Sequence, residues 1–122
     1  MSNTKFDEIM RDNNIILAIV ANLSNNSIIT IGKKSKLNYG SLVENLFGDI
    51  ERVRALNDSL KDQILPQAWN QGIVKCLVCK PVDDIVIGLF FHEYRDAVES
   101  YRFGKVLNEL IKEKWENGLM SI

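Results

Sequence analysis

Apolar residues along the chain alternate between short continuous runs and longer stretches in which they recur every three or four positions. Asn3 to Asp12 places Phe6, Ile9 and Met10 at helical spacing and ends at Asn13-Asn14, which predicts a short first helix. Ile15 to Ser24 (IILAIVANLS) is rich in β-branched residues and short, the mark of a buried strand. Asn25-Asn26 follows, and Asn tolerates the left-handed backbone of a two-residue hairpin, so Ser27 to Lys33 (SIITIGK) is expected to return antiparallel. In that second strand Ile29 and Ile31 face one side, Ile28 and Thr30 the other. A polar loop from Lys33 to Gly40 leads to Ser41-Leu42-Val43-Glu44, which has the spacing of a capping box.

From Ser41 the helical period continues to Asp62 or Gln63, which predicts one long helix. Its apolar positions, from Leu42 and Val43 through Phe47 and Val53 to Leu56 and Leu60, spread over about 180° at ~100° per residue. A single packed face needs only about 100°. The helix is therefore expected to bury itself against two surfaces. Ile64-Leu65-Pro66 stops it, and Pro66 to Asn70 reads as a short edge strand, since Pro cannot donate to a ladder. Ile73 to Pro81 and Ile85 to His92 form a further strand pair joined by Val82-Asp83-Asp84. Gly88 within the second of these signals a bulge or a close backbone approach. A last helix opens at Asp96, with Glu99 three positions on, and runs to Glu116 before Asn117-Gly118. Ala97, Tyr101, Phe103, Val106, Leu107, Leu110, Ile111 and Trp115 are expected to form its covered side.

The order α-β-β-α-β-β-β-α predicts an α+β fold: one central five-stranded antiparallel sheet, one long helix on one face and two helices on the other. A length of 122 residues fits a single domain over 1–122, with its core between about 10 and 115 and a tail at 117–122. Hydrophobic residues at 46% and charged residues at 25% are ordinary globular values. A net charge of −1 gives no overall electrostatic footprint for nucleic acid or an anionic membrane. The polar start and the shortness of the longest apolar run, Ile15 to Ala21, are unlike a signal peptide or a span of ~20 residues, so a cytoplasmic protein with no direct membrane insertion is expected.

Candidate chemistry is sparse. Cys76 and Cys79 have redox or zinc spacing, but an odd separation within a strand points the two thiols to opposite faces, which favours two core or half-buried cysteines. Gly32-Lys33-Lys34-Ser35 lacks the first Gly and the final Ser or Thr of a phosphate loop. His92-Glu93 opens like a zincin motif, but the chain holds one His, so the second ligand is missing. Phe90, Phe91, Tyr101 and Phe103 read as core aromatics. Trp69, on the Pro-containing edge, is either tucked under the sheet or exposed as an interaction anchor. No catalytic residue, metal ligand or cofactor site is assigned.

The element order, the strand IILAIVANLS, the Asn-Asn hairpin, the helix SLVENLFGDIERVRAL and the run KCLVCKPVDDIVIGLFFHE together resemble the Roadblock/dynein light-chain family over Met10 to Trp115. Two departures stand out: Asn25-Asn26-Ser27 where members often carry Asp-Gly, and a short third strand bearing Pro66. The resemblance implies a profilin-like binding module, not an enzyme, without cofactor. It implies a homodimer, or a heterodimer with a related Roadblock domain, built on antiparallel second helices and adjacent third strands. Such dimers serve as platforms for small Ras-like GTPases, sometimes modulating hydrolysis, or as motor adaptors. Carried over position by position, the dimer or partner interface falls on Leu46, Phe47, Ile50, Arg54 and Asn57 of the long helix and on Gln67, Trp69 and Gln71 of the third strand. The lone polar groups of Arg54 and Asn57 either find a partner across that interface or reach solvent at the helix margin. Two alternatives remain open: a longin-like or profilin-like adaptor without a GTPase, and a small-molecule sensor or enzyme with a pocket between sheet and helix.

Overall fold

The computed structural model describes residues 4–38 and 40–118. Helix α1 (Thr4–Asp12) leads into β1 (Leu17–Asn22) and β2 (Ser27–Gly32), followed by a 3₁₀ turn at Lys34–Lys36. Helices α2 (Ser41–Phe47) and α3 (Ile50–Ser59) come next, then β3 (Gln67–Gln71), β4 (Val74–Cys79), β5 (Ile85–His92) and α4 (Ala97–Glu116). The strands form one antiparallel sheet in the order β2-β1-β5-β4-β3, with Leu17 opposite Phe90 and Cys76 opposite both Phe90 and Trp69. This is the α+β architecture that the apolar pattern implies.

The sheet separates two cores. On one face Phe6, Ile9 and Met10 of α1 and Leu107 and Ile111 of α4 pack on Ala18, Val20, Leu77, Ile87, Leu89 and Phe91. On the other, Leu42, Val43 and Phe47 of α2 and Val53 and Leu56 of α3 cover Leu17, Ile19, Cys76, Val78, Val86 and Phe90. Because both faces are covered, β1, β4 and β5 are nearly continuous in apolar residues.

The expected long helix is two. Gly48 closes α2, donating its amide to the Glu44 carbonyl at 3.0 Å, and Asp49 turns extended (φ −154°, ψ 172°). The Asp49 carboxylate accepts the Arg52 amide at 2.8 Å, capping α3, while Arg52 Nη1 donates to the Glu44 carbonyl at 2.7 Å. The bend changes how the apolar arc is used. Leu42, Val43, Phe47, Val53, Leu56 and Leu60 are all buried against the chain's own sheet, and only the half-buried Leu46 and Ile50 lie near the surface. The width of the arc, read as room for a second surface, arises because two short helices with different rotations aim at one core. Asp49→Ala is expected to cost about 1 kcal/mol, the usual worth of an N-cap, read as a lowered denaturant midpoint with an unchanged slope.

Other departures have local causes. Gly40, not Ser41, occupies the N-cap of α2, so no side chain caps the helix, and the Ser41 hydroxyl donates instead to Gln71. The first hairpin turns through residues 23–26, with Asn22 paired to Ser27 and Asn26 alone of the two Asn residues left-handed (φ 58°). Asn22 Oδ1 accepts the Ser24 amide at 2.9 Å and Asn25 Oδ1 accepts the Ser27 amide at 3.1 Å, and these Asx bonds stabilise the longer turn. Pro66 precedes β3 rather than entering it, consistent with its missing N–H. Ala97 is exposed, and Tyr101 and Val106 are 66% and 67% exposed, contrary to their assignment to the covered side of the last helix, because the buried stripe of α4 runs through Ser100, Gly104, Leu107 and Ile111.

Gly88 is a close approach without a bulge. The register runs unbroken through Ile19–Gly88 and Val78–Gly88, and a Cβ on Gly88 would lie 2.4 and 2.7 Å from ring atoms of Phe47. Phe47 in turn meets Phe90 edge-to-face at 5.9 Å.

Candidate interaction surface

The residues singled out for an interface divide between α2–α3 and β3. Phe47 is 3% exposed and belongs to the core. Leu46 and Trp69 are half-buried against the same cluster, and Ile50 is half-buried at the start of α3. Trp69 thus tucks partly beneath α2–α3, between the two placements considered for it.

The polar groups of the set are satisfied within the chain. Arg54 Nη2 donates to the Leu23 carbonyl at 3.2 Å and to Asn26 Oδ1, tying α3 to the β1–β2 turn. Asn57 Oδ1 accepts from the Lys80 ammonium just beyond β4. Gln67 Nε2 donates to the Ile64 carbonyl at 2.7 Å, and Gln71 Oε1 accepts from the Ser41 hydroxyl at 2.7 Å. Except for the local Gln67 bond, these are long-range pairings, invisible to a helical wheel. Among the described residues, no buried side-chain nitrogen or oxygen lacks a partner.

What the chain leaves open is the outer edge of β3. Its residues QAWNQ carry no charge, and among the described residues no strand lies beyond them in the sheet. Gln67, Trp69 and Gln71 point to the α2–α3 side, Ala68 and Asn70 to the α4 side. β2, the opposite edge, is also uncharged (SIITIG), with Ile29 41% exposed.

The other candidate groups have structural roles. Cys76 lies in the core under α2–α3 and Cys79 in the core under α1 and α4, so the pair does face opposite ways. Burial raises both thiols, Cys76 further by proximity to Cys79, and Cys79 is pushed up to about 12. Thiolate is the reactive form. Neither cysteine is expected to react with an aromatic disulfide reagent in the native protein at pH 7, and both should react once it is denatured. His92 Nε2 accepts the Asn38 amide at 3.1 Å, which pins the loop before α2 to the end of β5.

Glu93 joins β5 to α4. Its side chain is 11% exposed, and it accepts the Ser100 hydroxyl at 2.7 Å and the Arg95 amide and guanidinium at 2.9 and 3.0 Å. Burial raises its pKa, but these bonds outweigh it and hold the carboxyl below the unperturbed 4.5. A pKa lowered by folding means stability that is present above the unfolded value and lost as pH falls through the folded pKa. Glu44, paired with Lys34, and Asp96, capping α4, shift the same way. Stability should therefore fall as pH drops below about 4.5, and Glu93→Gln should flatten that dependence in thermal melts taken across the same range.

An open cleft of about 930 Å³ lies between the end of α1 and the start of α4, with Arg11, Lys36, Arg95, Asp96 and Glu99 mixed along its wall. Among the described residues, no group of three or more His, Cys, Asp or Glu side chains is placed to hold a metal ion, and no helix is long and apolar enough to cross a membrane.

No protein-family model and no curated protein sequence matches the chain. Solved structures do. The fold is similar to that of Myxococcus xanthus MglB, with a TM-score of 0.61 and 14% identity over 94% of each chain. It is also similar to MglC from the same organism, with a TM-score of 0.56 and 16% identity over 90% of this chain and 98% of that one. Both are Roadblock/longin-like domains, and at this identity the likeness establishes that the chain shares their fold.

Proposed function

We propose that the chain is a non-catalytic Roadblock-type scaffold that pairs along β3 with a second copy or a related domain, and that the paired module binds a small Ras-like GTPase. The observation that carries the pairing is the unpaired, uncharged edge of β3, whose far end is held to α2 by the Ser41–Gln71 bond. Natural sheets blunt free edges with charge, Pro or bulges, and within QAWNQ there is none of these residues. Two copies meeting antiparallel there would form an isologous interface with Trp69, the strand midpoint, nearest the two-fold axis. The GTPase partner is supported by the family resemblance and by the fold shared with MglB and MglC.

Sedimentation equilibrium should show a dimer, and Asn70→Glu, which sets like charges across the axis at an exposed position while facing Lys75 in its own sheet, should shift it toward monomer with the fold intact. For the partner, tagged protein is incubated with native lysate in GDP or in a non-hydrolysable GTP analogue. Selective recovery of a small GTPase with the analogue is the expected result. A partner set indifferent to nucleotide would overturn the GTPase reading in favour of an adaptor.

A further inference from the structure

On its α4 side the β3 edge is incompletely covered. Ala68 and Asn70 are exposed there, while their neighbours across the ladder, Leu77 and Lys75, are buried and half-buried. Between the chain leading into β3 and the first half of α4 lies a groove of about 360 Å³. Ile64, Leu65 and Pro66 form one wall, Tyr101 and Gly104 the other, and Leu77 the floor. Gly104 brings bare backbone to that floor: a Cβ there would meet Leu77 Cδ1 at 3.2 Å. Ile64 is 87% exposed and Tyr101 66%, so large apolar groups stand at the groove without cover. Contiguous exposed apolar surface of this kind marks interaction sites in soluble proteins.

The charges around the groove define its occupant. Its charged lining is Lys75 and Lys105, with no carboxylate among the described residues that line it. The Lys75 ammonium is engaged by the Ser100 hydroxyl, which donates to Glu93. The Lys105 ammonium lies 5.6 Å from the Tyr101 ring centre and forms no ion pair among the described residues. A cation at the mouth of an apolar cleft complements a carboxylate beside apolar side chains. We infer that this groove docks a peptide segment of a partner protein carrying apolar residues next to Asp or Glu, the apolar groups entering between Pro66 and Tyr101 and a carboxylate meeting Lys105. This inference does not rest on the GTPase reading.

The test uses the full chain and a phage-displayed library of random 12-residue peptides, followed by fluorescence anisotropy on the enriched peptides. Enriched sequences should combine apolar residues with net negative charge, and should bind more weakly as salt rises. Tyr101→Ala and Lys105→Glu, both at exposed positions on α4, should each weaken binding tenfold or more. Arg102→Glu, an equal charge reversal outside the groove lining, should leave binding within twofold. Three results would each overturn the inference: no enrichment, a neutral or basic consensus, or equal weakening by Arg102→Glu and Lys105→Glu.

Discussion

Phe47→Glu is expected to unfold the chain and not to release a folded monomer. Phe47 is 3% exposed, meets Phe90 edge-to-face and lies over Gly88, so the new carboxylate would sit in a core with no cation beside it. Removing a buried Phe side chain costs about 3–5 kcal/mol, and leaving an unpaired charge buried adds to that. Domains of this size hold only about 5–15 kcal/mol in all. The expected readout is loss of the cooperative thermal transition by circular dichroism, with an enlarged hydrodynamic radius. A variant that melts cooperatively as a monomer would mean that Phe47 faces a partner instead of its own sheet.

The second large effect is at Gly88. A Cβ at this position collides with the Phe47 ring, and unbroken pairing to β1 and β4 denies the backbone room to retreat. Gly88→Ala should cost about 1–3 kcal/mol, the usual penalty of overpacking a core. The clash is with one side chain, so it should be coupled to it. In a double-mutant cycle, adding Phe47→Leu to Gly88→Ala should recover part of the loss, with an interaction term of about 0.5–3 kcal/mol. Strictly additive costs from denaturant midpoints would rule out the ring as the obstacle.

Much of the architecture was legible because its signals are local. Ile85 to His92 reads as one strand and is one, Asp96 caps α4 by accepting the Glu99 amide at 2.8 Å, and the Cys76–Cys79 spacing gives opposite faces. Gly88 advertised the close approach but not its partner, since Phe47 is distant in sequence. The break between α2 and α3 was also written in the chain: Gly48 followed by Asp49 is a stop followed by a cap. Apolar periodicity on either side runs through the pair, and a wheel drawn over both helices averages two orientations into one broad arc.

The surface was less legible. Whether Arg54 and Asn57 need an outside partner depends on where the Leu23 carbonyl and Lys80 come to rest, and tertiary packing decides that. Tyr101 is apolar enough to be read as core, yet the stripe that α4 lays on the sheet runs past it. Exposure at the margin of a helix is set by how far the neighbouring layer extends, which no period in the sequence records.

Cys76 and Cys79 sit three residues apart on one strand, but each is sealed by a different helical layer. They can therefore serve as two clocks, one for each layer. In single-cysteine variants made with Ala, the labelling rate at Cys76 times the lifting of α2–α3, and the rate at Cys79 times the lifting of α1 and α4. A bound partner that slows one clock and leaves the other running would reveal which side of the sheet it has clamped.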